Sequence, residues 1–192
     1  MGEEAAREFN YLWHQYGRLE NIWAALQDWL DAAPEDRYQV VQKLGAFNGV
    51  ILDALWTTLL LGLAAFGDRR RRPGAEPIGI PAWLDRHASI FPRDTEPVRL
   101  QMEKDLVKAL RPIKKLRNTR LAHWDSKVQV SIGVHRDQVT RAMDQVEHSF
   151  RRIEACFSLD HLGHHPPFNY FVGMKAYIRL VKESPLKLED LM

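Results

Sequence analysis

Cysteine is almost missing from this chain of 192 residues. Cys156 stands alone, which excludes an intrachain disulfide and any zinc site built from several thiolates. Long uncharged runs are missing too. Asp53 interrupts the apolar stretch from Gly49 to Phe66, and the remainder, Ala54 to Phe66, is shorter than the ~20 residues that cross a bilayer. A buried core helix is expected there, with no membrane partner. The start, Met1-Gly2-Glu3-Glu4-Ala5, is acidic and has no apolar centre, so no secretory signal is visible and a cytoplasmic location is expected. Strand-like alternation is confined to Val128, Val130, Ile132 and Val134, where Gly133 weakens it. A formal net charge of +2 excludes a polycation, so any contact with nucleic acid must come from local clustering of charge.

What the chain does have is helical periodicity. Phe9, Leu12, Tyr16, Leu19, Trp23, Leu26 and Leu30 alternate spacings of three and four, predicting a first helix from about Glu4 to Asp31. Pro34 ends that pattern. A second helix is expected over about Asp36 to Phe66, apolar nearly all round towards its end and so surrounded by other helices. Prolines and glycines make 67–94 an irregular connection, with a short helix around Pro81 to Ile90. A third helix from Asp94 or Thr95 carries Met102, Leu106, Leu110 and Ile113 inward and is expected to kink at Pro112. A fourth, about Asp137 to Phe157, shows Val139, Met143, Val146, Phe150, Ile153 and Phe157 at helical spacing, and a short amphipathic helix spans Tyr170 to Lys182. The expected fold is all-α: an antiparallel bundle of four long helices plus short ones over 1–160, with 161–192 an extension whose helix packs on the bundle.

The densest chemistry lies at the end of the third helix. Between Lys108 and Arg120 there are six basic residues and no acidic one. Lys108 and Lys115 fall opposite the apolar stripe, as an ordinary solvated face would. Arg117, at ~100° per residue, lies within about 60° of Ile113, Leu121 and Trp124 instead. A part-buried guanidinium keeps its proton and needs an anion, either a carboxylate or a phosphate. Asp53, the only charge in the apolar stretch from Gly49 to Phe66 of the second helix, is a candidate for the carboxylate, and its plainer role is an exposed or paired helix-edge group. Lys114, Lys115 and Arg120 surround the motif with positive charge that attracts a phosphate backbone.

The stretch Leu116-Arg117-Asn118-Thr119-Arg120-Leu121-Ala122-His123-Trp124-Asp125 resembles the active-site signature of the HEPN superfamily: an arginine, a polar residue directly after it, and a histidine a few positions on. The wording is particularly similar to the abortive-infection U-type branch, as is the apolar helix from Phe47-Asn48 to Asp68. The resemblance covers residues 1 to about 160. It implies a metal-independent endoribonuclease without cofactor, commonly a homodimer with two motifs facing one cleft, acting on RNA in phage defence or beside an antitoxin or other regulatory protein. It makes Arg117, Asn118 and His123 the catalytic set. Histidine titrates near neutrality and suits proton transfer, and arginine offers a rigid fork to phosphate oxygens. On one straight helix Arg117 and His123 diverge by about 120° and rise by ~9 Å, so a two-fold axis beside the motif helps gather the groups. Silenced members of the superfamily carry a tyrosine two residues after the histidine; here Asp125 stands there, suited to capping the helix or holding His123.

Other readings stay beside this one. The fold without catalysis leaves a nucleotide- or RNA-binding module, and an Arg117 paired internally with Asp53 leaves a protein-interaction module. Cys156, His161, His164 and His165 match no tight zinc spacing, so no metal is expected. Arg69 to Arg72 reads as a solvated loop run, and the tryptophans as core or interface.

Overall fold

A computed structural model describes residues 1–69, 79–118, 134–157 and 174–183. Seven α-helices occur among them, with no strand: α1 (Glu3–Asp31), α2 (Pro34–Leu44), α3 (Ala46–Phe66), α4 (Ile80–Arg86), α5 (Glu96–Leu116), α6 (Arg136–Cys156) and α7 (Met174–Glu183). The all-α expectation holds. The alternation around Val128 lies outside the described residues, as do His123, Arg120 and Asp125.

One expected helix is two. The second helix breaks at Gly45, whose φ of 52° lies in the region that only glycine enters without strain. Its N–H closes on the Val41 carbonyl at 2.8 Å, which ends α2, and the chain restarts as α3 at Ala46. Nor is α3 encircled as its composition suggested. Leu59, Leu63, Ala64 and Phe66 are buried, but Phe47 is 62% and Val50 64% exposed. Among the described residues α3 is also the one helix long and apolar enough to cross a membrane.

The chain divides into two compact units, Met1–Gly17 with Leu60–His164, and Arg18–Leu59 with His165–Met192. In the first unit the periodic residues of α5 and α6 face one another. Met102, Leu106, Leu110 and Ile113 are buried, as are Val139, Val146, Phe150 and Ile153. Phe150 gathers the aromatics: Trp13 stacks on it at 4.4 Å, while Phe9 and Phe66 meet it edge-on at 5.5 and 5.9 Å. Such pairs add about 0.5–1.5 kcal/mol each beyond the area they bury.

In the second unit Ala25, Trp29, Val40 and Ile178 form the buried centre. The seam of α1 ends on Trp29, which is buried, whereas Leu30 is only half-buried. Here α7 packs on α2, and Lys43 Nζ donates to the carbonyls of Val181 and Lys182 at 2.9 and 2.7 Å. A cation at the carbonyl end of α7 satisfies acceptors that the helix itself leaves open.

Candidate functional site

Two helix ends meet at the site: the C-terminus of α3 and the C-terminus of α5. After Phe66 the backbone closes tightly, with Gly67 N–H on Ala64 O at 3.2 Å and Asp68 N–H on Ala65 O at 3.0 Å. Gly79 presses on this turn so closely that a Cβ there would lie 2.4 Å from Asp68 O and 2.7 Å from Ala65 O. Gly67 faces α5, where a Cβ would come 3.0 Å from Leu110 Cδ1. Only glycine fits either contact without displacing a neighbour, and together they set Asp68 against the last turn of α5.

On α5 the helix runs through Pro112 and widens into a π-type turn at Arg117 and Asn118. The Arg117 N–H there reaches both Ile113 O and Lys114 O. π-type widenings concentrate at functional sites because they re-aim side chains away from the regular stripe. Arg117 Nη1 donates to Asp68 Oδ2 at 2.6 Å, and its Nε donates to Asn118 Oδ1 at 3.1 Å. Lys114 Nζ lies 3.0 Å from Asp68 Oδ1 and 3.0 Å from the Gly67 carbonyl. The side chains of Arg117, Lys114 and Asp68 are 26%, 28% and 30% exposed, so solvent reaches all three.

Burial alone would raise the Asp68 carboxyl, but the hydrogen bonds and charges of Arg117 and Lys114 outweigh it and hold it below its ordinary 3.8. Asp68 is therefore ionised at neutral pH, and two cations share one carboxylate. The trio carries one positive charge in excess, which can attract an anion although the carbonyl ends of both helices oppose one.

Of the two roles open to Asp53, the structure shows the plainer one, an exposed helix-edge carboxylate. Arg117 pairs with Asp68, while Asp53 is exposed on α3. The signal for Asp68 was weak but present: it is the first acid after the apolar helix, directly behind Gly67. Asn118 and Lys115 are exposed beside Arg117. Of the arginine run, Arg69 is drawn onto Glu103 and lies 3.8 Å from Asp85. Among the described residues no group of three or more His, Cys, Asp or Glu side chains is placed to hold a metal ion. Burial pushes the Cys156 thiol up, which leaves it protonated and inert at neutral pH.

A second ionic cluster went unread in the sequence. Glu8 of α1, 3% exposed, receives Arg86 on one oxygen and His87 Nε2 on the other at 2.8 Å. Arg86 also bonds Glu4 at 2.6 Å, and the Trp83 indole donates to Ala5 O at 3.2 Å. The partners are 79 positions apart, so only the docking of α4 on α1 brings them together.

These features define an all-helical protein with a solvent-facing arginine–asparagine pair clamped at a helix end, the class to which HEPN domains belong. The chain matches the AbiU2 family of HEPN domains over residues 2–168 and belongs to that family, which is associated with abortive infection. No curated protein and no solved structure matches it.

Proposed function

We propose that this HEPN domain is a metal-independent endoribonuclease that works as a homodimer. The observation that carries the reading is the Arg117 guanidinium, oriented by Asp68 and Asn118 yet still open to solvent, with positive charge left over after the ion pair. A purely structural pair needs one cation for one carboxylate; the surplus here supports a role in gripping phosphate.

In the proposed reaction the 2′-hydroxyl loses its proton and its oxygen attacks the adjacent phosphorus. The bond from phosphorus to the 5′-oxygen then breaks, and that oxygen takes up a proton. The products are a 2′,3′-cyclic phosphate and a 5′-hydroxyl. His123 moves the proton, Arg117 stabilises the charge growing on the phosphoryl oxygens, and Asn118 positions the phosphate or ribose. Lys114, Lys115 and Arg120 raise the local concentration of RNA, and Asp125 holds His123 or caps its helix. No step calls for a redox group or a metal-bound water.

A second copy of the chain completes the site by placing two arginines and two histidines about one scissile phosphate. The exposed Phe47 and Val50 of α3, with Val41 of α2, are apolar surface that a second copy could cover. In this proposal the enzyme acts on cellular RNA in the cytoplasm, in phage defence or beside an antitoxin.

The test is incubation of the purified protein with single-stranded and structured RNA in EDTA. Cleavage products with 2′,3′-cyclic ends are expected, and none with His123→Ala, whose helical circular dichroism stays intact. RNA bound but never cut would instead identify a binding module.

A further inference from the structure

The outer face of α5 carries a line of cations that begins well upstream of the motif and meets it at Lys115. Lys104, Lys108, Arg111 and Lys115 follow one another at spacings of four, three and four, and all are exposed. At ~100° per residue they fall within about 60° of one another, opposite the buried Met102, Leu106, Leu110 and Ile113. The line is about 17 Å long at 1.5 Å per residue and ends beside Arg117.

Four arginines on α5, α6 and α7 sit with an acid three or four positions away. Arg99 bonds Glu96, Arg141 lies 3.9 Å from Asp137, Arg151 lies 3.6 Å from Glu147, and Arg179 bonds Glu183. The α5 line breaks that habit. Among the described residues Lys104, Lys108 and Arg111 join no ion pair, and the one acid at the right spacing, Asp105, takes a hydrogen bond from Gln101 instead. Like charges at these spacings destabilise a helix. An ordinary solvated surface intersperses acids and avoids that cost; a surface that meets a polyanion recovers it on binding.

We infer that this ridge is a docking rail for the sugar–phosphate backbone of RNA, separate from the cleavage motif and leading strand into it. The inference rests on the ribonuclease reading for the identity of the polyanion. Phosphates along one strand of a duplex rise 3.4 Å per nucleotide, so the ridge spans about five of them, and its mobile side chains carry no base-reading geometry. It adds affinity without sequence preference. Lys104, Lys108 and Arg111 thus become binding residues, although two of them lie well upstream of the motif.

Salt dependence tests it, because each phosphate neutralised by a cation contributes about 0.7 to the log–log slope for single strands. The probe is a 2′-O-methyl RNA 20-mer, which lacks the nucleophile for cleavage. The triple variant Lys104→Gln, Lys108→Gln, Arg111→Gln should flatten the slope by about 2 and weaken binding about 50-fold at 0.15 M salt. Lys104→Gln alone should flatten it by about 0.7, which covers the case of a triple variant that misfolds, and the corresponding triple lysine-or-arginine swap should restore wild-type binding. An unchanged slope and affinity in both neutralised proteins overturns the rail while leaving the ribonuclease reading intact. A ridge-dependent slope with no cleavage of the matching 2′-hydroxyl RNA upholds the rail and removes the ribonuclease. Ridge-dependent binding of polyglutamate, with none of RNA at low salt, overturns the rail in favour of an acidic protein partner.

Discussion

Two carboxylates in this protein each receive two basic side chains, and they have opposite characters. Glu8 is sealed between α1 and α4, its charge shared with Arg86 and His87, and Arg86 has a second acid in Glu4. Asp68 stands at a solvent-facing helix end with two full cations and no second acid among its bonded neighbours. The first cluster satisfies itself. The second leaves positive charge directed at solvent. Residue type does not separate a structural ion cluster from a binding site here; exposure and residual charge do.

The contrast can be broken most sharply at Arg117 and Glu8. Arg117→Ala should lower cleavage by about 10²–10³-fold with little loss of helical signal, the range seen when one donor to a developing oxyanion is removed. Glu8→Ala should do the reverse. It strands Arg86 and His87 and is expected to cost about 3–5 kcal/mol in urea unfolding, with cleavage per folded molecule unchanged. Loss of cleavage at constant stability in Glu8→Ala would erase the distinction.

Asp68→Asn sharpens the comparison at a smaller scale. Removing the shared carboxylate of a partly exposed cluster should cost about 1–2 kcal/mol of stability. It should also reduce cleavage less than Arg117→Ala does, because the guanidinium remains but is no longer held. The smallest effect is in acid. The Asp68 carboxyl is depressed in the folded state, so its stabilisation is fully present above the ordinary 3.8 and is lost as pH falls through the lower folded value. The stability gap between wild type and Asp68→Asn should therefore be flat from pH 7 to about 4 and shrink only below that, as chemical unfolding at stepped pH will measure.

Much of this was legible along the chain. The seams of α1, α5 and α6 are local repeats of three and four, and burial of Phe9, Met102 and Phe150 follows from them. The break at Gly45 was not read, because a lone glycine inside an apolar pattern is also compatible with an unbroken helix. Exposure along α3 was not read either: composition reports how apolar a helix is, and the neighbours decide which side is covered. Asp53 is the conspicuous candidate in sequence, whereas Asp68 is placed by Gly67 and Gly79, two close approaches that no periodicity encodes.

The linear chain determined the all-helical character, the basic segment and the Arg117-Asn118 pair at a helix end, since all of these depend on residues within a few turns of one another. Tertiary structure decided which carboxylate clamps the arginine, that Glu8 and His87 meet at all, and which cations of α5 remain without acids. Those outcomes depend on contacts spanning tens of positions, where loop geometry and packing, and not local pattern, choose the neighbour.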